Sequence, residues 1–356
     1  MSRMVVFMLV VLATSLNLTR LAYAGPPASD PSARELVFLT WTDYMDPALI
    51  EAFEQQFNAR VRFVYYADDP ARDRMMIESE GHGYDVILVT GLEIDVYRKR
   101  GWLAPLDETL IPNLKHIGER WRNAYTAASA YSVPYAWGTL GIAYRSDLVS
   151  GEINHWRQLL EPSKDLRGKI TMIKDYRDIL GVALKALNYS VNSTDLQELD
   201  AAAELLWIQK PYVKTYSYMS LTEASELVTG EVQAALMYNG DALMLQEHQP
   251  AIEFVIPAEG SALWVDYLTV AASSDRKELA LRFINFLNDP KNAAQLAEYT
   301  YMATPNKSAE HLLPAAFLHN PLIYPSPGVL AKSEFYTSLP PRVLHARNRI
   351  IAQILR

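Results

Sequence analysis

The sequence predicts an α/β protein of two lobes that are joined by a hinge and enclose a ligand cleft between them. Its 356 residues are enough for about two domains. Strand-like and helix-like patterns alternate over residues 35–100 and again over residues 169–256. Two extended stretches, residues 131–144 and 262–270, connect these segments. We therefore expect both stretches to cross between the lobes.

The first α/β segment consists of three strand–helix pairs. Strand patterns cover residues 35–40, 61–66 and 84–89, and helical spacing covers residues 47–57, 69–79 and 93–100. This alternation predicts a mostly parallel sheet. Ligands of such sheets bind outside the carboxyl ends of the strands, where the chain places aromatic and acidic residues.

The second segment repeats the alternation. Strands are predicted at residues 169–173, 233–237 and 252–256, and helices at 178–187, 199–208 and 221–229. Helices at 277–288, 290–300 and 341–355 follow the second crossing. The predicted bounds are residues 33–139 plus 263–310 for the first lobe and residues 140–262 plus 311–356 for the second.

Residues 1–24 have the features of a secretory signal peptide. Arg3 provides a basic start, residues 4–16 are almost entirely apolar, and Ala22-Tyr23-Ala24 is a small-residue cleavage site. Cleavage is predicted after Ala24. The chain contains no cysteine, which excludes disulfides, thiolate metal sites, a cysteine nucleophile and a lipid-modified cysteine. A large exported chain without disulfides indicates the bacterial periplasm.

The charge balance is acidic. The formal charge is −8 for the whole chain, and it is −10 after residue 24, because the first 24 residues carry Arg3 and Arg20 and no acid. This charge argues against nucleic acid and anionic membrane surfaces as partners, and it favours a cationic ligand.

Aromatic residues stand beside acids at four places in the predicted strands and at their ends. The groups are Trp41, Asp43 and Tyr44; Asp175, Tyr176 and Asp178; Tyr238 and Asp241; and Trp264 and Asp266. This composition suits a linear polyamine, because each ammonium group needs a carboxylate and the methylene spacers need flat apolar walls. An aromatic face adds about 0.5–2 kcal/mol for each ammonium group that it contacts.

The residues alone leave simpler roles open. Asp175 and Asp178 are three residues apart at a predicted helix start, which is at least as typical of helix capping as of ligand binding. Trp264 and Asp266 share one face of the strand at 262–270. The two residues would share that face equally well if Trp264 packed in the core and Asp266 were a solvated acid, so the shared face alone does not establish a binding role.

From about Leu36 to near the C-terminus, the sequence resembles the periplasmic spermidine/putrescine-binding proteins, the solute receptors of polyamine ABC transporters. The resemblance is carried by Trp41-Thr42-Asp43-Tyr44, Tyr84-Asp85, Pro134-Tyr135-x-Trp137-Gly138, Asp175-x-Arg177-Asp178, Asn239-Gly240, Trp264-x-Asp266, Ile284-Asn285-Phe286-Leu287 and Thr304-Pro305-Asn306. It implies the two-lobed periplasmic binding protein fold, a monomer, no cofactor and no metal. The implied ligand is a polyamine, with spermidine or norspermidine favoured and putrescine possible, and the implied partner is an inner-membrane permease.

The predicted ligand-binding residues follow from the strand-end pattern and the resemblance together. They are Trp41, Asp43, Tyr44, Thr90, Asp175, Asp178, Tyr238, Asp241, Trp264, Asp266, Tyr301 and Tyr336. By the resemblance, Asp175 and Asp178 bind an end amine, and Asp266 binds a central or terminal amine. The chain departs from the family pattern at Leu92 and Met302, where tyrosines are expected, and at Tyr336, which falls near a family glutamine.

Two other functions compete with transport. Receptors of this family also serve as sensing subunits that dock on a membrane signalling receptor, and their ligand site would look the same. A glycosidase that uses two cleft carboxylates is the second rival, although it gives no reason for the recurring aromatic residues. The seven histidines show no metal-ligand spacing, and no nucleophile, P-loop or dinucleotide motif is present, so no enzyme activity is expected.

Overall fold

The structure, a computed structural model, describes residues 34–356, so the predicted signal peptide and its cleavage site lie outside the described residues. The strands are β1 Glu35–Thr40, β2 Arg60–Tyr65, β3 Val86–Thr90, β4 Ser132–Arg145, β5 Ile170–Met172, β6 Val213–Tyr216, β7 Ala234–Tyr238, β8 Ile252–Val255, β9 Ala262–Val270 and β10 Glu334–Phe335. Among residues 34–356, no helix combines the length and the apolar character needed to cross a membrane.

Helices of four to fourteen residues connect these strands. They are α1 Pro47–Phe57, α2 Asp69–Glu78, α3 Gly91–Lys99, α4 Glu119–Arg122, α5 Ala128–Tyr131, α6 Trp156–Leu160, α7 Tyr176–Ala186, α8 Leu196–Gln209, α9 Glu226–Thr229, α10 Asn239–His248, α11 Lys277–Leu287, α12 Pro290–Thr300, α13 Lys307–Glu310, α14 Ala315–Leu318, α15 Pro327–Lys332 and α16 Pro341–Ile354. The helix predicted at 221–229 is present only as α9, so its first five residues form a loop instead.

The strands are hydrogen-bonded in the order β2-β1-β3-β9-β4-β7-β5-β6, with β10 beside β9 and β8 beside β4. β1 pairs in parallel with β2 and β3, and β5 pairs in parallel with β6 and β7. β9 runs antiparallel to β3 and β4, and β4 runs antiparallel to β7 and β8. The mostly parallel sheet predicted from the sequence therefore exists on either side of an antiparallel centre.

β4 and β9 are the two crossing strands. Residues 132–139 of β4 pair with β9, and residues 140–144 pair with β7. β4 is one continuous strand even though it contains Pro134, because the register shifts between Pro134 and Ala136. Such a shift accommodates a residue without a backbone N–H.

Separate hydrophobic clusters cover the two ends of the sheet. One packs α1 and α11 on β1 and β3 around Phe38, Phe53 and Phe283, whereas another packs α6, α7 and α8 around Trp156 and Leu180. This division gives each end of the sheet its own core, as in a two-lobed protein.

The segment after residue 310 packs on both ends of the sheet. Ile323 packs with Leu39 and Tyr267 of the first end of the sheet, whereas Val343 and Ile351 of α16 pack with the cluster of the second end. The lobe bounds predicted from the sequence remain a proposal.

Candidate ligand-binding site

Two adjoining cavities lie where the two ends of the sheet meet. The larger, here called the main cavity, has a volume of about 350 Å³. The smaller, here called the inner cavity, has a volume of about 50 Å³. Asp69, Thr90, Tyr238 and Trp264 line both, so the two cavities form one continuous site. The main cavity is within the usual size range of small-ligand pockets.

Four helices that begin directly after strands direct acids at this site. The first turn of α2 carries Asp69, that of α3 carries Glu93, that of α7 carries Asp178, and that of α10 carries Asp241. An acid is favoured at this position because the unpaired N–H groups of a helix start carry partial positive charge. Of these four acids, Asp69, Asp178 and Asp241 line the cavities, whereas Glu93 does not.

β9 supplies the central pair of the site. Its Asp266 is paired across the sheet with Thr90 of β3, and its Trp264 lies opposite Gly138 of β4. A Cβ atom on Gly138 would lie 2.5 Å from Trp264 Cζ2 and 2.2 Å from Asn239 Oδ1. The indole can therefore lie against the β4 backbone only because residue 138 is glycine.

Asp266 is buried and accepts a hydrogen bond from Tyr44 Oη at 2.9 Å. Burial raises the pKa of Asp266 from 3.8 to about 7, and the nearby Asp69 carboxylate adds to the rise. Tyr44 is itself held in position by Tyr135, whose Oη donates a hydrogen bond to the backbone carbonyl oxygen of Tyr44. The central carboxylate is thus held in place by one neutral donor.

Asp178 is the corresponding acid of the inner cavity. Its two carboxylate oxygens accept hydrogen bonds from Tyr238 Oη at 2.7 Å and Tyr336 Oη at 2.8 Å. Burial, followed by repulsion from Asp175, raises the pKa of Asp178 to about 7. Asp175 caps α7, since its Oδ1 accepts from the backbone N–H of Arg177 at 2.7 Å and of Asp178 at 3.1 Å.

Asp241 lies in the wall of the main cavity. Burial, with a smaller contribution from the Asp43 carboxylate, raises the pKa of Asp241 to about 7. Both Asp266 and Asp241 raise the pKa of Tyr44, after the effect of burial, so both acids lie near that side chain. The main cavity therefore holds two carboxylates, the buried Asp266 and the half-buried Asp241, whose raised pKa values leave them only partly ionised at neutral pH.

Two arginines neutralise other acids of the site. Arg72 is fully buried and contacts Asp69 at 2.7 Å and Glu93 at 3.8 Å. Arg177 of α7 contacts Glu93 of α3 at 2.5 Å and so joins the two ends of the sheet. Among the ion pairs of residues 34–356, none involves Asp178, Asp241 or Asp266.

Aromatic rings form the remaining walls. The Trp41 ring centroid lies 4.6 Å from that of Tyr66 and 5.8 Å from that of Tyr218, so this wall contains residues from both ends of the sheet. Tyr238 and Trp264 meet edge to face, with centroids 6.0 Å apart, between the main and inner cavities. Rings and unpaired carboxylates together fit a ligand with several positive charges on an apolar chain.

A family model described as bacterial extracellular solute-binding protein matches residues 48–323. The chain belongs to this family. It is 30% identical over 302 residues to a spermidine/putrescine-binding periplasmic protein of Salmonella typhimurium, which covers 84% of this chain and 86% of that protein. It is 29% identical to a norspermidine sensor of Vibrio cholerae, over 91% of this chain and 89% of that protein.

A solved structure has the same fold. The spermidine/putrescine ABC transporter substrate-binding protein of Streptococcus pneumoniae matches with a TM-score of 0.78 and 27% identity. The match covers 90% of this chain and 98% of that chain. The resemblance and the two-lobed periplasmic binding protein fold predicted from the sequence are confirmed. An extracellular or periplasmic location is typical of this solute-binding family.

The structure brings eleven of the twelve predicted site residues to the two cavities. The main cavity is lined by Trp41, Asp43, Tyr44, Thr90, Tyr238, Asp241, Trp264 and Asp266, and the inner cavity adds Asp175, Asp178 and Tyr336. Their role in this solute-binding protein remains a proposal.

The twelfth predicted residue, Tyr301, lines neither cavity, and its neighbour Met302 lines the main cavity instead. Tyr301 ends α12 in a left-handed conformation with φ 53°, and its hydroxyl donates to Glu247. Adjacent side chains point in different directions, so only one of the two can face the ligand. The structure therefore places Tyr301 in contact with α10 and outside the two cavities.

Other lining residues were missed by the sequence reasoning. Asp69 and Tyr66 line the main cavity, as does the loop that carries Tyr218. Asp69 has the same signal as the predicted acids, because it opens a helix after strand β2. Tyr218 has no such signal, since it follows β6, a strand that the sequence pattern did not predict. Within residues 34–356, no cluster of acidic and histidine side chains is arranged to hold a metal ion.

Proposed function

We propose that this solute-binding protein captures a polyamine in the cleft between its lobes. The observation that carries this proposal is a set of three carboxylates, the buried Asp178 and Asp266 and the half-buried Asp241, that lie among aromatic rings and form no ion pair within residues 34–356. A buried carboxylate without a positive partner is costly, and an ammonium group removes that cost. The names of the Salmonella and Vibrio relatives support the same ligand class.

The number of unpaired acids favours a triamine of the spermidine or norspermidine type, with putrescine possible. One amine would bind Asp178 in the inner cavity, and the others would bind Asp266 and Asp241 in the main cavity. Trp264 and Tyr238 lie between these positions and would pack on a methylene spacer. A diamine could meet only two of the three acids and would leave the third uncompensated.

The protein would deliver its ligand to an ABC permease of the inner membrane. Transport is supported by the names of the Salmonella relative and the Streptococcus structure. Sensing is the second candidate, because the Vibrio relative is named a norspermidine sensor. Deletion of the gene should abolish polyamine uptake if the protein serves transport. It should leave uptake intact and change a polyamine response if the protein serves sensing.

Export to the periplasm would use the signal peptide at residues 1–24, with cleavage after Ala24. Intact-mass measurement of protein recovered from the periplasm tests this, since a mature chain starting at Gly25 is expected. The ligand would be released unchanged. Chromatography of spermidine after long incubation with the protein should recover all of it, and a new product would contradict the binding role.

Calorimetric titration tests the ligand. Mature protein is titrated with putrescine, cadaverine, spermidine, norspermidine and spermine, and maltose and glutamate serve as controls. We expect a triamine to bind more tightly than the diamines, and either Asp178→Asn or Asp241→Asn to reduce this preference. Asp200→Asn is the matched control, because Asp200 is an exposed acid on α8. Binding of no polyamine would refute the proposed function, and unchanged preferences in both cleft variants would refute the triamine assignment.

A further inference from the structure

A third cavity opens beside the main cavity, on the outer side of the first lobe. It is here called the outer groove and has a volume of about 320 Å³. It lies between the start of α1, the end of edge strand β2 and the end of α12. Nothing in the function proposed above uses it.

The walls of the outer groove are largely aromatic. Phe63 and Tyr65 of β2 stack with their ring planes nearly parallel, at a centroid distance of 5.7 Å and an interplanar angle of 4°. Tyr65 is 52% exposed and Tyr299, on the far side, is 42% exposed. Large aromatic side chains exposed together around a concavity mark a binding surface more often than scattered exposed ones do.

The charged side chains of the groove are both acidic. Asp43 and Glu51 line it, and among residues 34–356 no lysine, arginine or histidine does. Asp43 raises the pKa of both Tyr65 and Tyr299, after the effect of burial, so its carboxylate lies near both rings. Asp46 caps α1 by accepting from the backbone N–H of Ala48 at 2.8 Å, which offsets the positive end of that helix.

We propose that the outer groove is a second site for an organic ammonium ion, weaker than the cleft. Flat aromatic faces and two carboxylates match an alkylammonium group in both shape and charge. Trp41, Asp43 and Tyr44 line the groove and the main cavity alike, so a cation held here lies one side-chain layer from the cleft. The choice of spermidine as the probe and the comparison of its affinity with that of the cleft rest on the proposed function.

The two sites differ in exposure. Asp43 and Glu51 are exposed, whereas Asp266 of the cleft is buried. Water and salt weaken an exposed charge pair, so we expect the groove to bind at least about tenfold more weakly than the cleft. The groove would therefore fill only after the cleft is saturated.

Titration calorimetry with spermidine, extended to millimolar concentration, tests the groove. The wild-type protein should show two binding events. Glu51→Gln combined with Tyr299→Leu should remove the weaker event and leave the stronger one unchanged, because neither residue lines the cleft cavities. Asp266→Asn should weaken only the stronger event. Circular dichroism and the melting temperature establish that each variant is folded.

Several results would refute the proposal that the outer groove is a second ammonium site. A single event in the wild-type protein would do so, and so would a weaker event that survives in the Glu51/Tyr299 variant. Loss of the weaker event in the control Asp200→Asn would indicate nonspecific attraction to surface acids and would also overturn it. If no polyamine binds the cleft, tetramethylammonium replaces spermidine, and the groove stands only if the Glu51/Tyr299 variant loses tetramethylammonium binding.

Discussion

Lowering the pH from 8 to 6 should weaken polyamine binding steeply. The ligand needs ionised carboxylates, and burial raises the pKa of Asp178, Asp241 and Asp266 to about 7 in the empty protein. The amines stay protonated over this range, since alkylammonium groups resemble the lysine side chain, with a pKa of about 10.4. Between pH 8 and pH 6 only the carboxylate of each carboxylate–ammonium pair titrates. The affinity for the polyamine must therefore fall as the pH falls.

The size of the effect follows from these pKa values. A carboxylate with a pKa of about 7 is roughly nine-tenths ionised at pH 8 and one-tenth ionised at pH 6. Each acid that must be ionised for binding therefore costs about tenfold in affinity across this interval. A triamine that pairs with all three should lose about a thousandfold, and a diamine that pairs with two should lose about a hundredfold.

Titration calorimetry at several pH values measures this loss directly. At each pH, two buffers with different ionisation enthalpies give the number of protons released on binding. We expect up to three protons to be released per triamine at pH 6 and close to none at pH 8. Asp241→Asn should reduce the release by one, and the surface control Asp200→Asn should leave it unchanged.

An affinity that is constant between pH 6 and pH 8 would refute the reasoning. It would mean that the three carboxylates are already ionised in the empty protein or that the ligand does not contact them. A loss of affinity without proton release would point to a change elsewhere in the fold, because linked titration requires both.

Three further predictions concern single side chains and stability. Asp266→Asn should weaken spermidine binding by about 2–5 kcal/mol by calorimetry, and Asp200→Asn should change it by less than about 0.5 kcal/mol. The raised pKa values of the buried acids mean that the empty native state binds more protons than the unfolded state. The free energy of unfolding of the empty protein should therefore fall as the pH rises from about 4 through 7, and saturating spermidine should reverse this trend in calorimetric melting. Arg177→Gln should lower the free energy of unfolding in urea by about 1–3 kcal/mol, a modest loss because Arg72 still lies 3.8 Å from Glu93. The added change Glu93→Gln should restore part of it, and additive losses would contradict a direct pair.

Sequence patterns predicted residues that line the two cavities wherever a local rule applies. Acids and aromatic residues at strand ends must meet when parallel strands share an edge, and Asp178, Asp241 and Trp41 do line the cavities. Asp175 caps α7, which was one of the two roles that the sequence allowed, and it also lines the inner cavity. The same residue can cap a helix and line a cavity, because the start of α7 lies at the inner cavity.

Other features depend on contacts that local patterns do not contain. Residues 221–225 have helical spacing but form a loop, in which Thr222 Oγ1 lies 2.9 Å from Ser220 Oγ and accepts from the Ala224 N–H at 3.3 Å. Such side-chain bonds compete with the helix and leave Tyr218 free to face the cleft. The antiparallel direction of β9 is set by pairing with distant strands, which periodicity along the chain does not encode.

The acids of the cleft form two groups, those that pair with arginines and those that have no ion pair among residues 34–356. Four helices carry an acid in their first turn at or beside the site, and two of these acids, Asp69 and Glu93, pair with Arg72 and Arg177. The other two, Asp178 and Asp241, remain with Asp266 and have no positive partner in residues 34–356. Arg72 and Arg177 thus determine how many acids of the site are left for the positive charges of a ligand to neutralise. This number, more than the volume of the cleft, would then decide whether a diamine or a triamine fits best, because each acid left without an ammonium group remains buried and uncompensated.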